Sequence, residues 1–282
     1  MNQYTLSGFT DEISPVLAEQ LSVMKELNLH YMECRGVDGK NLIEYSNEQI
    51  QDIKKLLTQS QVKLSALGSP IGKIDITEDF EPHFMLFKHA VEAAHIMETP
   101  NIRLFSFYIP EGEHSRYESE VFRRTEQMVE YAIFHKVILM HENEKGIYGD
   151  NAQRCLNLME RFYCDHYKAV FDFANFVQVG QDTLEAYEML SPYIYYIHIK
   201  DALFSDGSVV PAGYGDGNVK QILSSLIKNG YNGFLSLEPH LSEFTGFSSL
   251  EKNIAAPKCS IPGQQAFLTA YNALIKLLTE IK

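Results

Sequence analysis

The chain has no tryptophan and only four cysteines in 282 residues. Cys34, Cys155, Cys164 and Cys259 form no C-x-x-C pair. They read as buried structural thiols in a reducing cytoplasm rather than as nucleophiles. Basic charge is scarce too: 24 Lys and Arg against 37 Asp and Glu leave a net charge of −13. Neutralising a phosphate backbone requires a basic face, so no nucleic-acid partner is expected. No run approaches the length of uncharged apolar sequence that spans a bilayer, so no membrane segment is expected. The opening MNQYTLSGFTDEIS lacks a charged stretch followed by an apolar one, so no signal peptide is expected. No G-x-G-x-x-G follows the first strand-like run, which removes the dinucleotide-binding fingerprint. No Pro/Gly/Ser-rich linker, internal repeat or low-complexity tract divides the chain.

What is present is an ordinary globular composition, 45% hydrophobic and 22% charged. Short apolar or β-branched runs begin near Thr5, His30, Val62, Asn101, Val137, Tyr167, Ile194 and Gly233. Helical patterns separate them. The first is expected over Pro15–Leu27, with Ser14 as N-cap and Pro15 at N1. The second opens on the box-like Ser46-Asn47-Glu48-Gln49. The third covers about Pro82 to Met97, and the fourth runs through Phe122 and Val129. The fifth is expected to be capped by Asp150, and the sixth spans Thr183 to Leu190, stopping before Pro192. Val219 to Leu226 and Phe267 to Leu278 carry the last two. Alternating β and α segments favour a parallel sheet. Eight such units in one domain, residues 1–282, point to an α/β fold of the (β/α)8 TIM-barrel type. Two loops exceed what a connection needs, Ala202–Gly217 and Leu241–Gln264. The second carries Phe244 and Phe247, apolar anchors for a partner subunit or a lid, which leaves a homo-oligomer open.

Four strand-like runs in the second half end on metal-type ligands: Glu142 in VILMHENE, Asp172 in KAVFDFANF, His198 in YYIHIKDA and Glu238 in GFLSLEPH. In a parallel barrel the C-terminal strand ends form one rim, where active sites sit. Three carboxylates gathered there need a cation to stay ionised, and His198 supplies a neutral nitrogen. The set suits one hard or borderline divalent ion, Mn2+ foremost, with Zn2+, Co2+ or Mg2+ as alternatives.

These blocks resemble the sugar phosphate isomerase/epimerase family with the xylose isomerase-like barrel. The resemblance rests on His141-Glu142-Asn143 with Gly149-Asp150, on Asp172 with Asn175, on His198-Ile199-Lys200-Asp201, and on Leu237-Glu238-Pro239-His240. It implies that Glu142, Asp172, His198 and Glu238 bind the metal, and that Glu142 and Glu238 are the acid/base pair. The implied substrate is a small sugar, sugar phosphate or polyol-derived ketone. The implied chemistry is proton removal alpha to a carbonyl, with the cation stabilising the enediolate. An inosose dehydratase-like lyase would use the same site.

The sequence departs from the ketose 3-epimerase pattern at Asn175, where such enzymes carry a substrate-contacting His. Asn175 can still bind substrate by hydrogen bonds, or serve as a loop residue that tolerates the left-handed region. Lys200, two residues past His198, shares its face of the strand. It is read as a ligand for a carboxylate, phosphate or enediolate oxygen, or else as an ion pair with Asp201 or a rim acid. Arg103 and Lys73 are further cationic candidates for an anionic substrate. Glu33 and Arg35 are read as a Glu–Arg pair, and His141 as packing between barrel and helices. His240 is read as support for the site or as a loop residue. Endonuclease IV-like repair enzymes share the four ligand positions but need three zinc ions and more His ligands than this chain offers. A non-catalytic sugar-binding barrel would leave the ligand set without use.

Overall fold

The computed structural model describes residues 4–242 and 261–281. Eight strands form the sheet: β1 (Thr5–Gly8), β2 (Tyr31–Cys34), β3 (Lys63–Gly68), β4 (Asn101–Leu104), β5 (Ile138–Glu142), β6 (Tyr167–Asp172), β7 (Ile194–Ile199) and β8 (Phe234–Leu237). All neighbouring pairs run parallel in the order β1-β8-β7-β6-β5-β4-β3-β2. The isolated parallel bridge Phe9↔Glu33 joins β1 to β2 and brings the barrel to closure. The expected (β/α)8 architecture is therefore present.

The helices are α1 (Leu17–Glu26), α2 (Asn47–Gln59), α3 (Phe80–Ile96), α4 (His114–His135), α5 (Ala152–Phe162), α6 (Phe173–Gln178), α7 (Thr183–Leu190), α8 (Val219–Lys228) and α9 (Gly263–Glu280). The expected capping box starts α2: Ser46 accepts from Gln49 N–H, and the Gln49 side chain returns to Ser46 N–H. Asp182 caps α7 by accepting from Leu184 and Glu185.

Three local expectations need correction. Ser14 and Pro15 do not open α1, which begins at Leu17. The Ser14 hydroxyl is used by Val16 N–H and Glu19, and Asp38 accepts from Leu17 N–H at 3.0 Å instead. At α5 the cap is Asn151, accepting from Arg154 N–H at 3.0 Å, while Asp150 pairs with the Arg154 guanidinium. A short helix, α6, follows β6 where none was expected, because Asp172 at the strand end also caps it, accepting from Asn175 N–H at 2.8 Å.

Large apolar side chains fill the layer between strands and helices, among them Phe87, Phe107, Phe171 and Phe267. Inside the barrel the packing is partly polar. Ser7 on β1 meets Ser65 on β3, and Ser65 meets the hydroxyl of Tyr196 on β7 at 2.8 Å. Among the described residues, no helix is long and apolar enough to cross a membrane. Cys34, Cys155 and Cys164 are free thiols. Cys259, Phe244 and Phe247 lie outside the described residues.

Candidate metal centre

Parallel register brings the expected ligands together. Asp172 on β6 is the register partner of His198 on β7, and His198 is the partner of Ser236 on β8, two residues before Glu238. Glu142 ends β5, the strand beside β6. Glu142, Asp172, His198 and Glu238 are all buried, and each offers one ligand atom within 4.8 Å of the others. His198 Nδ1 lies 2.8 Å from Glu142 Oε1, 3.5 Å from Glu238 Oε2 and 3.9 Å from Asp172 Oδ2.

The donor set fits a divalent cation. Three carboxylates and one imidazole nitrogen converge in a dry site. Two of the buried carboxylate oxygens, Glu142 Oε2 and Asp172 Oδ2, accept no hydrogen bond of good geometry; each has one cation at 3.2 Å, Arg103 and Lys200 respectively.

Cations lie beside the group. Lys200 Nζ sits 3.2 Å from Asp172 and 3.1 Å from Glu238. Lys200 therefore pairs with rim acids, not with Asp201. Asp201 accepts instead from the backbone N–H groups of Ala202, Gly213, Gly215 and Gly217, pinning the loop after β7. Arg103 lies 3.2 Å from Glu142 Oε2 and stacks over Phe9 and Phe105. Lys73 makes its ion pair with Glu144, also over the Phe105 ring, beside the four-ligand group.

The titration of the carboxylates follows from these contacts. Burial pushes Glu142 upward, but His198 and Arg103 outweigh it and hold the group at about 2. Glu238 is likewise held well below the usual range, burial being overcome by Lys200, His240 and His198. Asp172 goes the other way. Burial, reinforced by Glu238 and Glu142, overcomes Lys200 and lifts it well above the carboxylate range. A cation bound among the three would reverse that shift by stabilising the ionised form.

Supporting contacts escaped the sequence. Glu33 does not pair with Arg35. Its carboxylate faces His198 Nε2, at 3.1 Å through one oxygen and 3.2 Å through the other. Arg35 turns to Asp11, Glu12 and Glu238. Asn143 brackets Asp172, donating to its carbonyl and accepting from its N–H, each at 2.9 Å. Asn175 sits in α6 rather than in a loop; its amide donates to the Asn143 carbonyl at 2.9 Å and approaches Glu142 Oε1 at 3.4 Å. His240 reaches Glu238 at 3.2 Å and donates its backbone N–H to Glu12. Glu12, Glu238 and His240 form a second group of metal-type ligands, but the Arg35 guanidinium already reaches both acids of that group. His141 is buried, packs on Tyr167 and approaches the Ser106 hydroxyl, as its alternation with Glu142 implies. The one sequence signal for Glu33 and Arg35 was charge inside an apolar strand; nothing local showed which partner each would meet.

Residues 21–258 match the family described as Xylose isomerase-like TIM barrel. No curated protein matches. Solved structures with the same fold include the IOLI protein with a bound zinc atom, at 16% identity, 99% of both chains and a TM-score of 0.75. A D-tagatose 3-epimerase-like protein matches at 18% identity, covering 99% of this chain and all of its own, with a TM-score of 0.71. The probable 3-DHS dehydratase AsbF of Bacillus anthracis matches at 16% identity over 96% of this chain and 98% of its own, with a TM-score of 0.71. These identities establish a shared fold. With the family match covering most of its length, the chain belongs to the xylose isomerase-like TIM barrel family.

Proposed function

We propose that this chain is a divalent-metal-dependent isomerase or epimerase of a small hydroxy-carbonyl compound: a sugar, a sugar phosphate or a polyol-derived ketone. The observation that carries the reading is the buried Glu142–Asp172–His198–Glu238 group, three carboxylates and an imidazole whose ligand atoms lie within 4.8 Å of one another. These four residues would hold the ion, Mn2+ in the first instance. When bound, a divalent cation supplies polarisation of the substrate carbonyl and countercharge for the enediolate that forms on proton loss.

The chain's own groups supply the rest. Glu142 and Glu238 would be the carboxylates that take and return the proton alpha to the carbonyl. They approach from β5 and from the end of β8, on different sides of the site. Lys200 and Arg103, beside the ligands, would meet substrate oxygens, with Asn175 as a hydrogen-bonding wall and Lys73 as a further cation. Burial of the ligands excludes bulk water from the proton transfer.

A lyase shares this first step and differs only in expelling a beta hydroxyl afterwards, and a dehydratase is among the fold's neighbours. The test is metal content after Mn2+ or Zn2+ reconstitution, then incubation with ketoses, their phosphates and ketoinositols. One ion per chain and an accumulating isomer support the proposal. A dehydrated product would establish the lyase, three zinc ions with cleavage of abasic-site DNA would establish a repair enzyme, and no ion would refute the metal centre.

A further inference from the structure

We propose that Glu33 is a positioning residue that fixes the tautomer and ring orientation of His198, an inference that rests on the metal centre proposed above. Glu33 lies on β2, across the barrel from β7, and has no solvent exposure. A fully buried carboxylate carries a large desolvation cost unless it is paired. Among the described residues, no Lys or Arg pairs with Glu33; its ionic partner is His198. Its other contact is the Ser236 hydroxyl, which donates to Oε2 at 2.7 Å. Both carboxylate oxygens lie within hydrogen-bond reach of His198 Nε2. A carboxylate can only accept, so Nε2 must carry the hydrogen. Nδ1 faces Glu142, Glu238 and Asp172; at 2.8 Å from Glu142 Oε1 it too carries a hydrogen while no cation is bound, and a cation among those carboxylates would take its lone pair while Glu33 keeps the hydrogen on Nε2.

The ring is clamped as well as oriented. Phe9 meets it edge-on at 5.2 Å and Tyr196 at 5.8 Å. Phe9 also forms the bridge to Glu33 that joins β1 to β2. Barrel closure and imidazole orientation thus share one set of residues. A carboxylate behind a metal-binding histidine sets the tautomer and raises ligand basicity, and its loss characteristically costs 10–100-fold in metal affinity. Glu33 therefore sets how tightly His198 binds without touching the ion or the substrate.

The experiment compares wild type, Glu33→Gln and Glu33→Leu. Zn2+ affinity is measured by chelator competition, and the imidazole signals are read by proton–nitrogen NMR, with His198→Ala assigning the resonance. Wild type is expected to show a downfield Nε2–H proton from His198. Glu33→Leu is expected to lose that signal and to bind Zn2+ about 10–100-fold more weakly. Glu33→Gln, whose amide oxygen still accepts from Nε2–H, is expected to recover most of the affinity, a rescue that a merely space-filling role would not show. Unchanged Zn2+ affinity in folded Glu33→Leu would overturn the proposal, as would a wild-type His198 protonated only at Nδ1. If Glu33→Leu does not fold, the wild-type Nε2–H signal and the affinity of Glu33→Gln decide. A wild type that binds no Zn2+ refutes the metal centre, and the NMR signal then tests Glu33 separately.

Discussion

Replacing Asp172 with Asn separates a metal centre from a network of ion pairs, because the two predict opposite outcomes. In the metal-free protein Asp172 is completely buried, and burial disfavours its charge. Asn keeps the shape and an oxygen for the Asn175 N–H that Asp172 now accepts at 2.8 Å. Lys200 keeps Glu238 at 3.1 Å. The metal-free variant should therefore stay within about 1 kcal/mol of wild type, since removing an excess buried charge offsets the lost ion pair. Metal binding should fall at least ~100-fold, because one of three charged ligands is gone. At a metal concentration of 100 times the wild-type Kd, binding stabilises wild type by about 2.7 kcal/mol, and a ~100-fold weaker variant by only about 0.4 kcal/mol. In a chain of this size, that difference changes the metal-induced rise in Tm from about 5 °C to about 1 °C. The assay is thermal melting with and without Mn2+ or Zn2+. A variant more than about 3 kcal/mol less stable without metal, yet keeping the wild-type metal shift, would show that Asp172 is structural and refute the reasoning.

Three further outcomes follow. His83 and His141 are held neutral, each at about 4, chiefly by burial. The unfolded chain, titrating near 6.5, binds protons first as pH falls; stability present above pH 6.5 is lost toward pH 4, by about 2 kcal/mol per histidine at pH 5. Urea unfolding at pH 7 and pH 5 should show this, and His83→Gln should flatten part of the slope. Gly72 lies at φ +89°, and a β-carbon there would stand 2.1 Å from the Phe105 carbonyl oxygen. Gly72→Ala should cost about 3 kcal/mol or more, and a variant melting within a degree or two of wild type would contradict that. Asp201→Ala should speed amide hydrogen exchange over residues 202–217, because four backbone N–H groups lose one acceptor; unchanged exchange would mean the loop is held by something else.

Much of this protein is legible in one dimension. Eight apolar runs alternating with helical patterns specify β and α units, because side-chain period is a local property of the backbone. Glu142, Asp172, His198 and Glu238 could be found because each ends its run, and parallel strands of one barrel bring their ends to one rim whatever the details of packing. Local competition for donors was less legible: Asp38 displaced Ser14 at the start of α1, and Asp172 capped an unforeseen α6. The partners across the barrel were not legible at all. Glu33 on β2 and Arg35 just past its end stand two residues apart, yet one serves His198 and the other Asp11, Glu12 and Glu238. Those pairings span up to 203 positions of sequence. Only closure of the barrel brings such residues within reach, so the chain alone determined which ligands gather, and the tertiary structure decided what holds and charges them.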